Sequence, residues 1–287
     1  MRPRSLPIAV SPVLVGAALA YERTGSVDPI AAALVLGAAL LMQVVTNLQN
    51  DVGYTVRGAE AGGTRIGLPR ATANGWLGVR EVRAGVVLAA LLATAIGLAL
   101  VALRGWPVLA IGVASLAAAL AYMGGPKPIA YTPLGELTVF VFFGLVAVPG
   151  TDWVLSGSVG AASLIGGAAI GALAAAALAV NNHRDREHDR SAGRRTFAVI
   201  FGEQSSARLF ATLLFAPFAL LVPLALAARA PTTLLPLVLL PAALRLRRDF
   251  GRCREPGAFT ALLLRSFRFE AVFALLLVAG VLLARLA

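Results

Sequence analysis

The chain has 287 residues, of which 59% are hydrophobic and only 14% charged, and a net charge of +11. Soluble domains usually carry about 25% charged residues, so this composition, with a mean hydropathy of +0.82, excludes an ordinary soluble globular protein. The basic excess is nearly all arginine and lies in short gaps between apolar blocks, which argues against nucleic-acid binding and for a polytopic membrane protein.

Nine apolar runs of roughly 14 to 24 residues can be set against the roughly 20 that a helix needs to cross a bilayer. They lie near 5–22, 29–48, 84–103, 106–123, 133–150, 159–182, 205–228, 231–244 and 269–286. The first contains Pro7 and Pro12, lacks a small-residue cleavage site and reads as a membrane helix rather than a cleaved signal. The eighth is short and would need tilt, or snorkelling by Arg245 and Arg247. The single cysteine, Cys253, allows no internal disulfide and no cysteine-based metal site.

The connections alternate in charge. Arg2 and Arg4 precede the first run, and the even connections hold Arg57 to Arg83, Lys127, Arg184 to Arg195, and Arg245 to Arg254. The odd connections hold Arg23, Arg104, no basic residue, and Arg229. The positive-inside rule then predicts a cytoplasmic N-terminus, cytoplasmic even connections and an outside C-terminus, in the plasma or inner membrane.

The chemistry concentrates at two helix ends. Asn181, Asp185 and Asp189 follow an apolar run at i, i+4 and i+8, a spacing that stacks them on one face if the helix continues. Asn47 and Asp51 repeat the Asn-x-x-x-Asp spacing, and the offset from Asn47 to Asn181 equals that from Asp51 to Asp185. This suggests one membrane domain over 1–287 with a loose internal duplication, about 1–130 and 131–287. Carboxylates at a membrane edge default to a functional reading. Hard oxygen ligands suit Mg²⁺, and interleaved arginines (Arg184, Arg190, Arg194, Arg195) suit a metal-bridged diphosphate. The competing reading is a solvated helix end with i, i+4 ion pairs. His183 and His188 flank the ligands on other faces and read as surface residues rather than metal ligands.

The fourth connection, Tyr122 to Tyr131, is a Gly/Pro turn carrying Lys127, which could neutralise a departing diphosphate or simply mark the basic side. Glu136 enters the fifth run and must pair with Lys127 or an arginine, or serve a substrate. A multi-pass transporter is the rival class. Transporters place coupling carboxylates near the midplane on broken helices, whereas here they sit at span ends on one side.

The segment Asn181-Asn182-x-Arg184-Asp185-x-x-x-Asp189, continued by Gly193-Arg194-Arg195-Thr196, resembles the second aspartate motif of the UbiA superfamily of intramembrane prenyltransferases. Leu6-Pro7 to Gly16, Gly124-Gly125-Pro126-x-Pro128 with Leu134-Gly135-Glu136, and Phe143 to Thr151 carry further resemblance, so that residues 5 to about 210 are covered. The resemblance implies an all-α, nine-helix membrane bundle with a lipid-open central cavity and a cytoplasmic polar cap. It implies transfer of a polyprenyl chain from its diphosphate to an aromatic acceptor, with Mg²⁺ as cofactor and membrane lipid, not nucleic acid, as surroundings. The implied acceptor is 1,4-dihydroxy-2-naphthoate, decarboxylated on the way to demethylmenaquinone; hydroxybenzoate and homogentisate are the alternatives. By position, Asp51, Asp185, Asp189 and Glu60 would hold metal, and Asn47, Asn181, Arg65, Arg194 and Lys127 would hold diphosphate. Tyr122, Tyr131 and Glu136 would face the acceptor or cavity. The chain departs from the family in its first motif, where Tyr54 and Glu60 stand at positions usually occupied by Asp.

Overall fold

The computed structural model describes residues 5–58, 70–72 and 74–286, and these are helical with no strand among them. The elements are α1 (Pro7–Thr24), α2 (Pro29–Val56), α3 (Val79–Arg104), α4 (Trp106–Met123), α5 (Gly135–Phe140), α6 (Ala147–Ser156), α7 (Ala161–Arg184), α8 (Arg186–Ser191), α9 (Phe197–Ala227), α10 (Leu240–Arg252) and α11 (Pro256–Leu286). A π-helical turn, Val141–Val146, joins α5 to α6 into one crossing. Among the described residues seven helices are long and apolar enough to span a membrane: α2, α3, α4, Gly135–Ser156, α7, α9 and α11. With no water to satisfy backbone groups in lipid, continuous helices are the one solution open to such runs short of a closed barrel.

The C-terminal third differs from the sequence expectation. The eighth run is not an α-helix over 231–244: Pro231–Leu239 is 3₁₀-helical, and α10 follows with its arginines. Pro231, Pro236 and Pro241 each remove a backbone donor, which disfavours a regular α ladder there. The last helix begins at Pro256 rather than near 269. Within its first part Arg265 donates to Asp249 of α10 at 2.7 Å. Inside α9, Gly202 at φ 81° breaks the helix between Phe201 and Glu203.

α7 is the centre of the bundle and packs against α1, α5, α6, α9 and α11. Its small residues, Gly166, Gly167 and Gly171 followed by Ala172 to Ala177, are buried, and small side chains let helices approach closely where lipid supplies no hydrophobic drive. The tightest approach is between α7 and the π-helical turn. A Cβ on Gly144 would lie 2.4 Å from the Gly167 carbonyl oxygen and 2.6 Å from the Gly171 Cα. Gly144→Ala is therefore expected to destabilise the fold by at least the ~1–3 kcal/mol typical of overpacking, read as a lower melting temperature in detergent. Gly97→Ala, with open space around it, is the matched control and should leave melting unchanged or slightly raised.

Contacts between connections gather at two ends of the bundle. At one end the second connection reaches the fourth (Arg57 to the Gly125 carbonyl), the fourth reaches the sixth (Arg195 N to Tyr131 O, 3.1 Å), and Arg184 donates to Thr260 at 3.1 Å. At the other end Arg23 grips Asp152 at 2.5 Å, Arg104 donates to Val154 O at 2.6 Å, and Arg285 donates to Glu22 O at 2.5 Å.

Candidate active site

A cavity of about 490 Å³ opens among α1, α2, α3, α4, the fifth crossing and α7. Most of its wall is aliphatic or aromatic, including Val35, Leu100, Val108 and Phe142. Its arginines and asparagines come from the ends of α2 and α7 and the segments beyond them: Asn47, Asn50, Arg70, Asn181, Asn182 and Arg194, with Tyr54 among them; Thr94, Ser115, Thr138 and Thr151 add scattered hydroxyls along the wall. A long apolar chamber with polar groups gathered at one end suits an amphiphile with a charged head.

The two Asn-x-x-x-Asp segments are built alike. In the first, α2 runs on to Val56, so Asn47 and Asp51 share a face one turn apart. Asn47 donates from Nδ2 to Ser5 Oγ at 3.3 Å. The Asp51 carboxylate is buried and accepts from Ala71 N (2.9 Å), Thr72 N (3.3 Å) and Thr72 Oγ1 (2.5 Å). It thereby ties the returning loop to the helix end.

In the second, α7 ends at Arg184 and α8 begins at Arg186, with Asp185 between them. The i→i−4 ladder survives the break: Asp185 N donates to Asn181 O (3.0 Å) and Asp189 N to Asp185 O (2.7 Å). The kink therefore disturbs the expected i, i+4, i+8 face only slightly. Arg184 clasps both Asp185 oxygens, at 2.7 and 2.9 Å, and Asn181 Oδ1 at 2.8 Å. Asp189, fully buried, accepts from Arg194 Nη1 at 2.5 Å. Arg194 also donates from Nε and Nη2 to the Ala130 carbonyl, at 3.1 and 3.0 Å. One guanidinium thus joins the acidic segment to the Gly/Pro turn. Burial alone would lower its proton affinity, but Tyr54, Asp189, Tyr122 and Asp185 raise it above the ordinary arginine range, so it stays cationic.

Tyr54 gains a role from the structure. It is buried, with the Arg70 guanidinium carbon 3.3 Å from its ring centroid and that of Arg194 at 5.1 Å. The ring face attracts both cations. A phenol at this position therefore organises two arginines at the cavity end where the family pattern leads to a carboxylate. Arg70 is 3% exposed and lines the cavity, and it is the functional candidate that sequence reasoning passed over. Its signal was present as one more arginine after the first motif. Only folding separates it from the solvated arginines nearby.

Other predicted residues fall differently. Lys127 is exposed on its turn and does not line the cavity; Gly125 and the flanking prolines hold the loop outward. Tyr131 is half-buried in the roof, with Arg57 and Arg194 at 5.3 and 5.8 Å from its ring, and is not part of the cavity wall. Burial raises its pKa, partly opposed by Arg194 and Arg57. Tyr122 does line the cavity. Glu136 pairs with neither Lys127 nor an arginine but with Asn182, whose Nδ2 donates to Oε1 at 3.0 Å. His183 is not a surface residue: its ring packs 4.6 Å from that of Phe250 and 5.2 Å from that of Phe259, and it shares a hydrogen bond with Ser206. Glu60 and Arg65 lie outside the described residues.

Among the described residues no three His, Cys, Asp or Glu side chains form a ready cluster for a metal ion. The donor chemistry nonetheless fits Mg²⁺, which takes one or two carboxylates and completes its shell with water and substrate phosphate. The candidate carboxylates Asp51, Asp185 and Asp189 are held by Thr72, Arg184 and Arg194 and stand behind the cavity lining rather than on it. Asn50, a cavity-lining residue, has a buried Oδ1 without a hydrogen-bond partner among the described residues.

Residues 9–269 match the model of the UbiA prenyltransferase family. The chain is 36% identical over 220 residues to 1,4-dihydroxy-2-naphthoate octaprenyltransferase of Escherichia coli, covering 75% of this chain and 71% of that one. It is 35% identical over 244 residues to the protein of the same name from Mycobacterium tuberculosis, covering 85% and 82%. Its fold is similar to that of a UbiA homolog from Archaeoglobus fulgidus bound to DMAPP and Mg²⁺, with a TM-score of 0.66 at 15% identity over 99% of this chain and 98% of the other. Seven membrane-length helices, a cavity with one polar end and the matched family sequence agree: the chain is a multi-pass membrane protein of the UbiA prenyltransferase family.

Proposed function

We propose that the protein transfers a polyprenyl chain from its diphosphate to 1,4-dihydroxy-2-naphthoate, with loss of the carboxylate as CO₂. The observation that carries this reading is the apolar cavity lined at its polar end by the asparagines of both Asn-x-x-x-Asp segments together with Arg70 and Arg194. The relatives' names supply the acceptor. The diphosphate would sit at that end, against Asn47, Asn181, Arg70 and Arg194, with Asp51, Asp185 and Asp189 holding Mg²⁺. When bound, the metal supplies Lewis-acid neutralisation of the leaving diphosphate. Arg194, cationic and fixed at three hydrogen bonds, faces the charge that develops as the C–O bond breaks. The apolar wall keeps water from the allylic carbon while the ring carbon attacks it.

The wider architecture follows the same reading. The chain forms nine crossings in a single domain with duplicated halves, α1 and the Pro231–Arg252 segment adding the two beyond the seven longest. The even connections form a cytoplasmic cap. The cavity opens to lipid between α3 and α4, where Leu98, Leu109 and Val113 both line it and stand exposed on the outer face.

The test is product formation in membranes supplied with Mg²⁺, a polyprenyl diphosphate and a panel of dihydroxynaphthoate, hydroxybenzoate and homogentisate, followed by mass spectrometry. Demethylmenaquinone alone is the expected product. Product with another phenol only would reassign the acceptor. No product with any acceptor, despite intact diphosphate binding, would make the chain a lipid-binding relative without catalysis.

A further inference from the structure

The surface of α10 is divided lengthwise. Ala243, Leu246 and Phe250, at i, i+3 and i+7, are buried, and Phe250 stacks on Phe210 with ring centroids 4.4 Å apart. About 200° round the helix, Arg245, Arg248 and Arg252 repeat that spacing as an exposed stripe. Leu240 and Leu244 precede the stripe on the outer face, 39% and 51% exposed. The one carboxylate on α10, Asp249, is engaged by Arg265 of α11 at 2.7 Å. Arg245, Arg248 and Arg252 have no ion pair among the described residues.

The depth of this stripe follows from its neighbour. α10 runs antiparallel to α11: Thr232, ahead of it, meets Gly280, and Asp249 meets Arg265. Arg265 and Arg285 are 20 residues apart on α11, about 30 Å at 1.5 Å per residue. That is about the thickness of a bilayer's hydrocarbon core. Arg285 donates to Glu22 O at one end of the bundle, so Arg265 marks the opposite interface. There Arg268, one turn on and exposed, adds to the stripe of α10. Over residues 240–268 seven arginines face only Asp249 and Glu255, a net +5 out of the chain's +11. The leucines lie deeper and the arginines at the surface. A phospholipid offers acyl chain and phosphate in the same order, whereas a free phosphate or an acidic peptide would leave Leu240 and Leu244 unmatched.

We propose that the outer face of α10 is a binding surface for anionic phospholipid headgroups, with Arg245, Arg248 and Arg252 on the phosphates and Leu240 and Leu244 along the chains. The buried face gives the surface a bearing on the rest of the molecule. Phe250 lies 4.6 Å from the His183 ring, next in sequence to Arg184, which clasps Asp185. A lipid seated on α10 therefore braces the end of α7.

The test reconstitutes the full chain in nanodiscs of phosphatidylcholine, or of equal parts phosphatidylcholine and phosphatidylglycerol. Electron paramagnetic resonance reads the association of spin-labelled phosphatidylglycerol relative to spin-labelled phosphatidylcholine. Each arginine beside an anionic surface contributes a factor of roughly five, reduced by salt, so the wild type should prefer phosphatidylglycerol about tenfold or more. Combined Arg245→Gln, Arg248→Gln and Arg252→Gln should lose most of that preference. Arg80→Gln with Arg83→Gln, two exposed arginines at the start of α3, should keep it. Melting in phosphatidylcholine checks the fold, and Arg248→Gln alone serves if the triple variant melts early. Affinity for a prenyl thiolodiphosphate in phosphatidylcholine should be unchanged. An unaltered lipid preference in the α10 variants would overturn the proposal. An equal loss in the α3 variant would do so too, because net charge rather than this surface would then set the preference. A fall in thiolodiphosphate affinity with lipid preference intact would assign the stripe to the substrate instead. No outcome here depends on which acceptor is prenylated.

Discussion

Asp185→Asn is expected to slow prenyl transfer by about a hundred- to a thousandfold, while the protein still folds. The magnitude follows from losing a charge-compensating group at the leaving diphosphate, where one misplaced or missing partner costs about 10²–10³ in rate. The choice of substitution matters. Asp185 is 4% exposed and both its oxygens are gripped by Arg184. Asp185→Ala would leave that guanidinium buried without its partner, and breaking such a pair costs about 3–5 kcal/mol. Asparagine keeps one carbonyl oxygen for Arg184 and removes the charge a cation needs. The checks are product formation by mass spectrometry and melting in detergent, with Asp185→Ala expected to be both inactive and less stable. Undiminished turnover in Asp185→Asn would remove Asp185 from the metal site.

The second large effect is expected at Arg194. Its truncation to alanine removes two hydrogen bonds to Ala130 O and the Nη1 hydrogen bond to the fully buried Asp189. The stability loss should again be about 3–5 kcal/mol, and prenyl-diphosphate affinity should fall tenfold or more because the cavity loses a fixed cation. Arg194→Lys restores charge but not the fork that reaches a carbonyl and a carboxylate together, so it should recover part of the affinity and little of the stability. Melting and a thiolodiphosphate titration separate the two. If Arg194→Ala melts like wild type and binds as tightly, the link between the acidic segment and the Gly/Pro turn carries no energy.

The contrast between Arg194 and Lys127 shows where linear reading stops. Both are basic residues beside a recognisable motif, and both were candidates for the diphosphate. Arg194 is turned inward because its fork matches the Ala130 carbonyl and Asp189. Lys127 sits on a turn whose prolines and Gly125 carry it outward, so it stays in solvent. Glu136 makes the same point. Its burial could be expected from its entry into an apolar run, but its partner, Asn182, lies 46 positions away and is chosen by how α5 packs on α7.

The helical bundle class and the two Asn-x-x-x-Asp helix ends were determined by the sequence itself. Apolar run length, arginine placement and i, i+4 spacing are local quantities, and lipid leaves a long apolar run few alternatives to helix. Tertiary structure decided the rest. It turned Pro231–Leu239 from a presumed α span into 3₁₀ helix ahead of an arginine-bearing α10, and it began α11 at Pro256, with Arg265 partnered by Asp249. It placed Tyr54 beneath Arg70 and joined Glu136 to Asn182 across α5 and α7. These depend on which side chains meet across distant helices, and a buried charge or amide is decided by its partner rather than by its neighbours in the chain.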